Sequence, residues 1–169
     1  MDQTMEKTKI DFEADGDWVK RLLFANIFIN ENKLQTVFDR YHVEVTSKQW
    51  LLLAVANSFI VPPTLTEVGE AMGCSWQNVK KIAVLLEQKG YIKLTKDEED
   101  GRILRIVITQ KFIEYSATLE ERNSKVLEVV FKEFTKEQLD VFYENNEKLG
   151  RGIKALDAYF ASVQEGEKK

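Results

Sequence analysis

Ser75-Trp76-Gln77-Asn78-Val79-Lys80-Lys81-Ile82-Ala83-Val84-Leu85-Leu86-Glu87-Gln88-Lys89-Gly90-Tyr91-Ile92-Lys93-Leu94-Thr95-Lys96 is a stretch whose hydrophobic period changes partway along. Before Gly90, Val79, Ile82, Ala83, Leu85 and Leu86 recur at the three–four spacing of one helix face. Ser75 is a good N-cap, and Gly90 suits the left-handed residue beyond a helix end. After Gly90 the period is two: Ile92 and Leu94 alternate with Lys93 and Thr95, as in a strand with one buried face. The segment therefore predicts a helix that feeds directly into a β-strand.

The pattern extends outward on both sides. Upstream, Thr64-x-x-Glu67 and Thr46-x-x-Gln49 each fit the reciprocal capping box. They predict helices over residues 65–72, stopped by Gly73, and over residues 47–57, ended before Pro62-Pro63. Downstream, Leu104, Ile106 and Ile108 alternate with Arg105 and Val107, so residues 91–96 and 103–109 predict a β-hairpin. Its charged tip spans residues 97–102 and contains the turn dipeptide Asp100-Gly101. Helical periodicity resumes over residues 110–134, and again over 136–163 behind a third capping box, Thr135-x-x-Gln138. The tail from Gln164 to Lys169 is expected to be disordered. A first helix over residues 17–41 carries two apolar stripes, Trp18/Leu22/Ala25/Ile29 and Ile27/Leu34/Phe38/Tyr41, which predict burial on more than one side.

The last helix carries Leu139/Phe142, Asn146/Leu149, Ile153/Leu156 and Phe160/Val163 at the alternating spacing of a coiled-coil seam. A polar Asn within such a seam can fix register and partner number. The same stripe would also serve packing within one subunit, and Gly150 and Gly152 weaken the helix interior. The expectation is a homodimer whose interface includes Trp18, Leu22, Phe142, Asn146, Leu149, Ile153, Leu156 and Phe160.

Helix, helix, tight turn, helix and hairpin is the order of a winged helix-turn-helix, in which the third of these helices enters the major groove of duplex DNA. The fold class expected is mainly α with a small β-hairpin wing. Three divisions follow: 1–45, an N-terminal tail and dimerisation helix; 46–111, the DNA-binding lobe; and 112–169, C-terminal dimerisation helices and tail. Gln77 and Asn78 can pair with adenine, Lys80 and Lys81 can neutralise phosphates, and the helix N-terminus itself favours an anion. Trp76 either meets a sugar or thymine methyl or packs across the turn. Thr66, Ser75, Lys93 and Lys96 complete the DNA-facing set, while Arg102 reads as a solvated surface charge and Asp100 as the residue the hairpin turn requires.

Charge distribution bears on this reading. The whole chain has a net charge of −4 and a pI near 5.2. Residues 46–111 nevertheless hold nine Lys/Arg against seven Asp/Glu. Four of those seven acids are the tip run Asp97-Glu98-Glu99-Asp100, which would repel phosphates and leave Lys93, Lys96, Arg102 and Arg105 to offset them. That acidic tip keeps open an alternative, a winged-helix protein-interaction module without DNA binding.

Residues 64–75, the run from Val79 through Leu85-Leu86-Glu87-Gln88-Lys89-Gly90-Tyr91-Ile92, and Asp100-Gly101-Arg102 followed by Val107-Ile108-Thr109 together resemble MarR-type (multiple antibiotic resistance) transcription regulators. The likeness covers residues 46–111 in motif and the flanking helices in layout. It implies a dimer built from the outer helices, with Arg102 reaching a minor groove while Asp100 holds it. It also implies a repressor acting on a pseudo-palindromic operator, and a small aromatic or phenolic effector held in many members between the DNA lobe and the dimer helices; Tyr41, His42 and Trp50 lie near that junction in sequence and serve equally well as core or interface packing.

Other chemistry has little support. No phosphate loop, dinucleotide fingerprint or HExxH pattern occurs, and no nucleophile–base set is visible, so an enzyme is not expected. His42 is the single histidine; Asp39 and Glu44 nearby make a metal site conceivable but inferior to a surface role. Cys74, the single cysteine, excludes an internal disulfide and reads as a small core residue. Peroxide sensors of the resembled family carry a thiol in the first helix, and none occurs between Phe12 and Tyr41. No cofactor, no membrane association and a cytoplasmic location are expected; residues 1–15 lack the basic-then-apolar order of a secretion signal.

Overall fold

The computed structural model describes residues 17–42 and 44–166. The expectations for residues 1–16 and for Glu167 onward lie outside the described residues. Contacts divide the chain into two compact units, one reaching to Tyr115 and the other starting at Ser116.

In the first unit, α1 (Trp18–Tyr41), α2 (Ser47–Asn57), α3 (Leu65–Met72) and α4 (Trp76–Gln88) precede strands β1 (Ile92–Lys96) and β2 (Leu104–Ile108) and most of α5 (Gln110–Thr118). Two reciprocal caps open α2 and α3. Thr46 Oγ1 accepts the Gln49 N–H at 3.3 Å while the Gln49 side chain accepts from the Thr46 N–H at 3.2 Å. Thr64 and Glu67 repeat the exchange at 3.1 and 2.7 Å. Each box satisfies two backbone donors that a helix start would otherwise leave to water.

The core of this unit joins Leu52 and Leu53 of α2, Val68 of α3, and Val79, Ala83 and Leu86 of α4 to Ile92 and Ile106 of the hairpin. The strands are antiparallel, pairing Ile92 with Ile108 and Lys96 with Leu104. A two-stranded ribbon is marginal alone. Here the chain just before α3 supports it: Thr64 bridges to Arg105, and Ile106 N–H donates to the Pro63 carbonyl at 2.8 Å.

In the second unit, α6 (Glu120–Phe131) is followed by α7 (Lys136–Gly166), opened by the Thr135–Gln138 box. α7 runs on through Gly150 and Gly152, where an added Cβ would meet nothing within 4 Å.

Four expectations need correction. The single helix over 110–134 is two, because the Leu119 N–H reaches only the Ser116 carbonyl three residues back and tightens the chain there. The segment from Gln164 is helical as far as Gly166. Leu85 is exposed, since Val79, Ala83 and Leu86 define the buried stripe and Leu85 falls at its edge. α1 buries no residue fully; Val19, Leu23, Phe24, Phe28, Leu34 and Val37 are exposed in the single chain.

Candidate nucleic-acid interface

α3 and α4 meet through a turn that sequence spacing alone places well. Gly73 adopts φ 66°, a left-handed conformation open to glycine without strain, and Cys74 N–H closes the helix end on the Gly69 carbonyl at 2.9 Å. Cys74 is half-buried and packs against the core. Ser75 then caps α4, its Oγ accepting from the Asn78 N–H at 3.4 Å. Gly69 permits the close crossing: a Cβ there would lie 2.8 Å from the Cys74 carbonyl oxygen and 3.3 Å from the Trp76 nitrogen. That requirement was not read from sequence, where Gly69 looked like any residue of a short helix.

The crossing leaves the opening turn of α4 facing solvent. Ser75, Gln77, Asn78, Lys80 and Lys81 are exposed, and Trp76 is 47 % exposed. The indole therefore does not pack wholly across the turn. Thr66 is exposed on α3, and Lys93 and Lys96 are exposed on β1. The surface thus presents amide, hydroxyl and ammonium groups beside a helix N-terminus, a combination suited to base edges and phosphates.

The wing tip is organised by two carboxylates. Asp97 Oδ1 accepts the N–H groups of Glu99 and Asp100 at 2.9 and 3.0 Å, and its other oxygen pairs with Arg105 Nε. Asp100 accepts the Arg102 N–H and Nε at 3.0 Å on one oxygen and Nη2 at 2.9 Å on the other. These donors hold both carboxyls below the usual carboxylate range, first through the Asp100 N–H for Asp97 and the Arg102 side chain for Asp100. The Arg102 side chain stays 91 % exposed. Gly101 is not in the left-handed region, which among described residues only Gly73 and Gly90 occupy. The tip is thus a loop shaped by Asp97 rather than a tight two-residue turn.

Two expected charges are therefore reassigned. Asp97 is not a free repeller of phosphate, and Arg105 is not a free attractor. Its Nε engages Asp97 and its Nη1 donates to the Pro62 carbonyl at 2.8 Å. The outward alternation of Arg105 gave its face, but the partner depends on the folded tip.

Around His42 the structure forms a small aromatic group. The imidazole stacks on Phe38 at 3.7 Å between ring centres, and Phe38 lies 5.6 Å from Trp50; Tyr41 is exposed. His42 Nδ1 sits 3.0 Å from the Phe38 carbonyl, Asp39 accepts from the Ser47 N–H, and Glu44 accepts from Lys89 and Tyr91. Among the described residues no three His, Cys, Asp or Glu side chains are grouped to hold a metal ion. Of the residues expected at a dimer interface, Trp18 and Leu22 are half-buried on α1, and Phe142, Asn146, Leu149, Ile153, Leu156 and Phe160 are exposed along α7. No helix among the described residues is long and apolar enough to cross a membrane.

No protein-family model and no curated protein sequence matches the chain. Solved structures do. A MarR/EmrR family transcriptional regulator from Acinetobacter sp. ADP1 superposes with a TM-score of 0.72 at 19 % identity, over 81 % of this chain and 98 % of that one. MepR of S. aureus, solved in complex with DNA, gives 0.64 at 15 % identity over 83 % and 99 %. The PcaV regulator of Streptomyces coelicolor, solved with its natural ligand, gives 0.62 at 17 % over 85 % and 97 %. Many of the similar structures are MarR-family transcription regulators, and this chain has their winged-helix fold.

Proposed function

We propose that this chain is a sequence-specific, duplex-DNA-binding transcription regulator of the MarR type, a repressor that acts as a homodimer. The observation carrying the proposal is the exposed opening turn of α4, where Ser75, Trp76, Gln77, Asn78, Lys80 and Lys81 stand in solvent beside capped helix N–H groups. Such a turn can enter a major groove, where Gln and Asn recognise adenine and lysines displace counterions. Arg102, extended from the wing and steadied by Asp100, is the minor-groove partner. The fold is that of proteins described as regulators, one of them solved on DNA. The exposed apolar faces of α1 and α7 are the surfaces a second copy covers, and its twofold sets an operator with half-sites about one helical turn apart or somewhat more. A small aromatic or phenolic effector near Phe38, His42 and Trp50 is the proposed trigger of DNA release; a similar regulator solved with 2,4-dichlorophenol bound supports that ligand class.

The test is titration of the full chain against the DNA upstream of its own gene and against random duplex, at several salt concentrations. Preference for the upstream DNA with a steep salt dependence is expected. Lys80→Ala with Lys81→Ala should weaken binding at least about tenfold and lower the salt slope by about two. Equal affinity for both duplexes would refute the regulator. The competing reading, a protein-interaction module, draws on exposed Glu98 and Glu99 at the tip, but loses force because Asp97 and Asp100 are internally satisfied.

A further inference from the structure

We propose that Arg105 is the positioning residue that aims the wing. It ties the hairpin tip to the segment between α2 and α3, and so determines where Arg102 can reach. This inference rests on the DNA-binding reading above and adds to it a residue with no contact of its own to the nucleic acid.

Arg105 and Arg102 lie three positions apart yet occupy different environments. The Arg102 side chain is 91 % exposed, whereas Arg105 is 33 % exposed and its partner Asp97 only 11 %. The side-chain bonds of Arg105 go to groups of this chain. Nη1 donates to the Pro62 carbonyl at 2.8 Å and Nε engages Asp97. From Asp97 the path continues to the tip. The other oxygen of Asp97 accepts the Asp100 N–H at 3.0 Å, and Asp100 in turn grips the Arg102 guanidinium at 3.0 and 2.9 Å. A continuous run of charge-assisted hydrogen bonds thus leads from the Pro62 carbonyl to Arg102.

The geometry requires a guanidinium. Its planar fork serves two acceptors in different directions with Nε and Nη1, which a single ammonium cannot reproduce. The backbone of β2 is tied to the segment between α2 and α3 at Arg105 itself, through the bridge to Thr64, and at Ile106, whose N–H donates to the Pro63 carbonyl, so the tip beyond Lys96 and Leu104 projects past these anchors. From that same anchored position the Arg105 side chain reaches Asp97 and so carries the anchorage on to the tip.

The test compares the unaltered chain on the upstream duplex with Arg102→Ala, Arg105→Ala, the double variant, and Arg105→Lys, which keeps the charge. Arg102→Ala is expected to weaken binding about tenfold or more. Arg105→Ala should lose nearly as much, Arg105→Lys should not restore it, and the double variant should match Arg102→Ala in both affinity and salt slope. Losses that multiply, or a salt slope lower by about one when Arg105 is removed in the Arg102→Ala background, would make Arg105 a phosphate contact or a general stabiliser and overturn the proposal. A second readout needs no DNA. Amide order parameters from Asp97 to Ile103 should fall in Arg105→Lys while those of α2 and α4 hold. Unchanged tip order would refute the brace even if the chain binds its operator. Lowered tip order in a chain that ignores its upstream DNA would keep the brace and refute the regulator.

Discussion

Tyr91 shows how much a single side chain can link. It is buried at the end of α4, stacks on Tyr115 at 5.1 Å and meets Phe112 edge-on at 6.2 Å. Its hydroxyl faces Glu44 at 3.4 Å, and Lys111 lies over its ring. Burial first, and then the Glu44 charge, raises the phenol above its ordinary value near 10. A raised folded value means that the stabilisation is fully present below about pH 10 and is lost as pH rises through the folded value. Urea midpoints followed from about pH 8 to about pH 11, a range spanning the ordinary phenol value, should therefore fall more steeply for the unaltered chain than for Tyr91→Phe. A gap between the two proteins that stays constant across that range would contradict the account. At this scale the sequence was legible where a signal is local: the three capping boxes, the Ser75 cap, the helix stop at Gly73 and the left-handed Gly90 all stand as read. It was illegible where a side chain chooses a partner far along the chain. Nothing in a pattern of alternating residues says that Arg105 turns to Pro62 or that Lys89 reaches Glu44 and Gln49 across the fold.

Between elements, the decisive contact is the crossing of α3 and α4. The pair exposes the opening turn of α4 only because Gly69 lets the helices approach within backbone contact. Gly69→Val should therefore cost about 1–3 kcal/mol, as other forced insertions into tight packing do, and lower the thermal midpoint. If circular dichroism melts of that variant match the unaltered chain, the crossing is looser than described. Element identity followed from period, so the change at Gly90 gave helix then strand correctly. Boundaries were weaker. The break at Leu119 has no proline or glycine to announce it, and the helical run past Gln164 shows that a polar tail can continue a long helix when nothing stops it.

At the scale of the whole molecule, the apolar residues of α1 and α7 are too many and too regular to be left in water. Exposed contiguous apolar patches of this kind mark partner surfaces. Light scattering should report a dimer, and Leu149→Glu with Leu156→Glu should yield monomers while the winged lobe keeps its secondary structure. A folded monomer in the unaltered protein would remove the basis for a twofold operator. The stripes were readable from spacing; in the proposed dimer a second copy covers them, and periodicity does not say with which of its surfaces.

For the proposed regulator, the self-satisfied carboxylates of the hairpin tip bear on how it would search a crowded genome. Viewed from afar the protein is an anion and drifts away from nucleic acid; only at close range, with the α4 turn leading, does a locally cationic face prevail. In the proposed regulator, encounters would thereby be filtered by orientation, and retention on bulk duplex would be weak. Few copies of such a regulator would then be sequestered on irrelevant duplex, and a small pool would suffice to keep one site occupied.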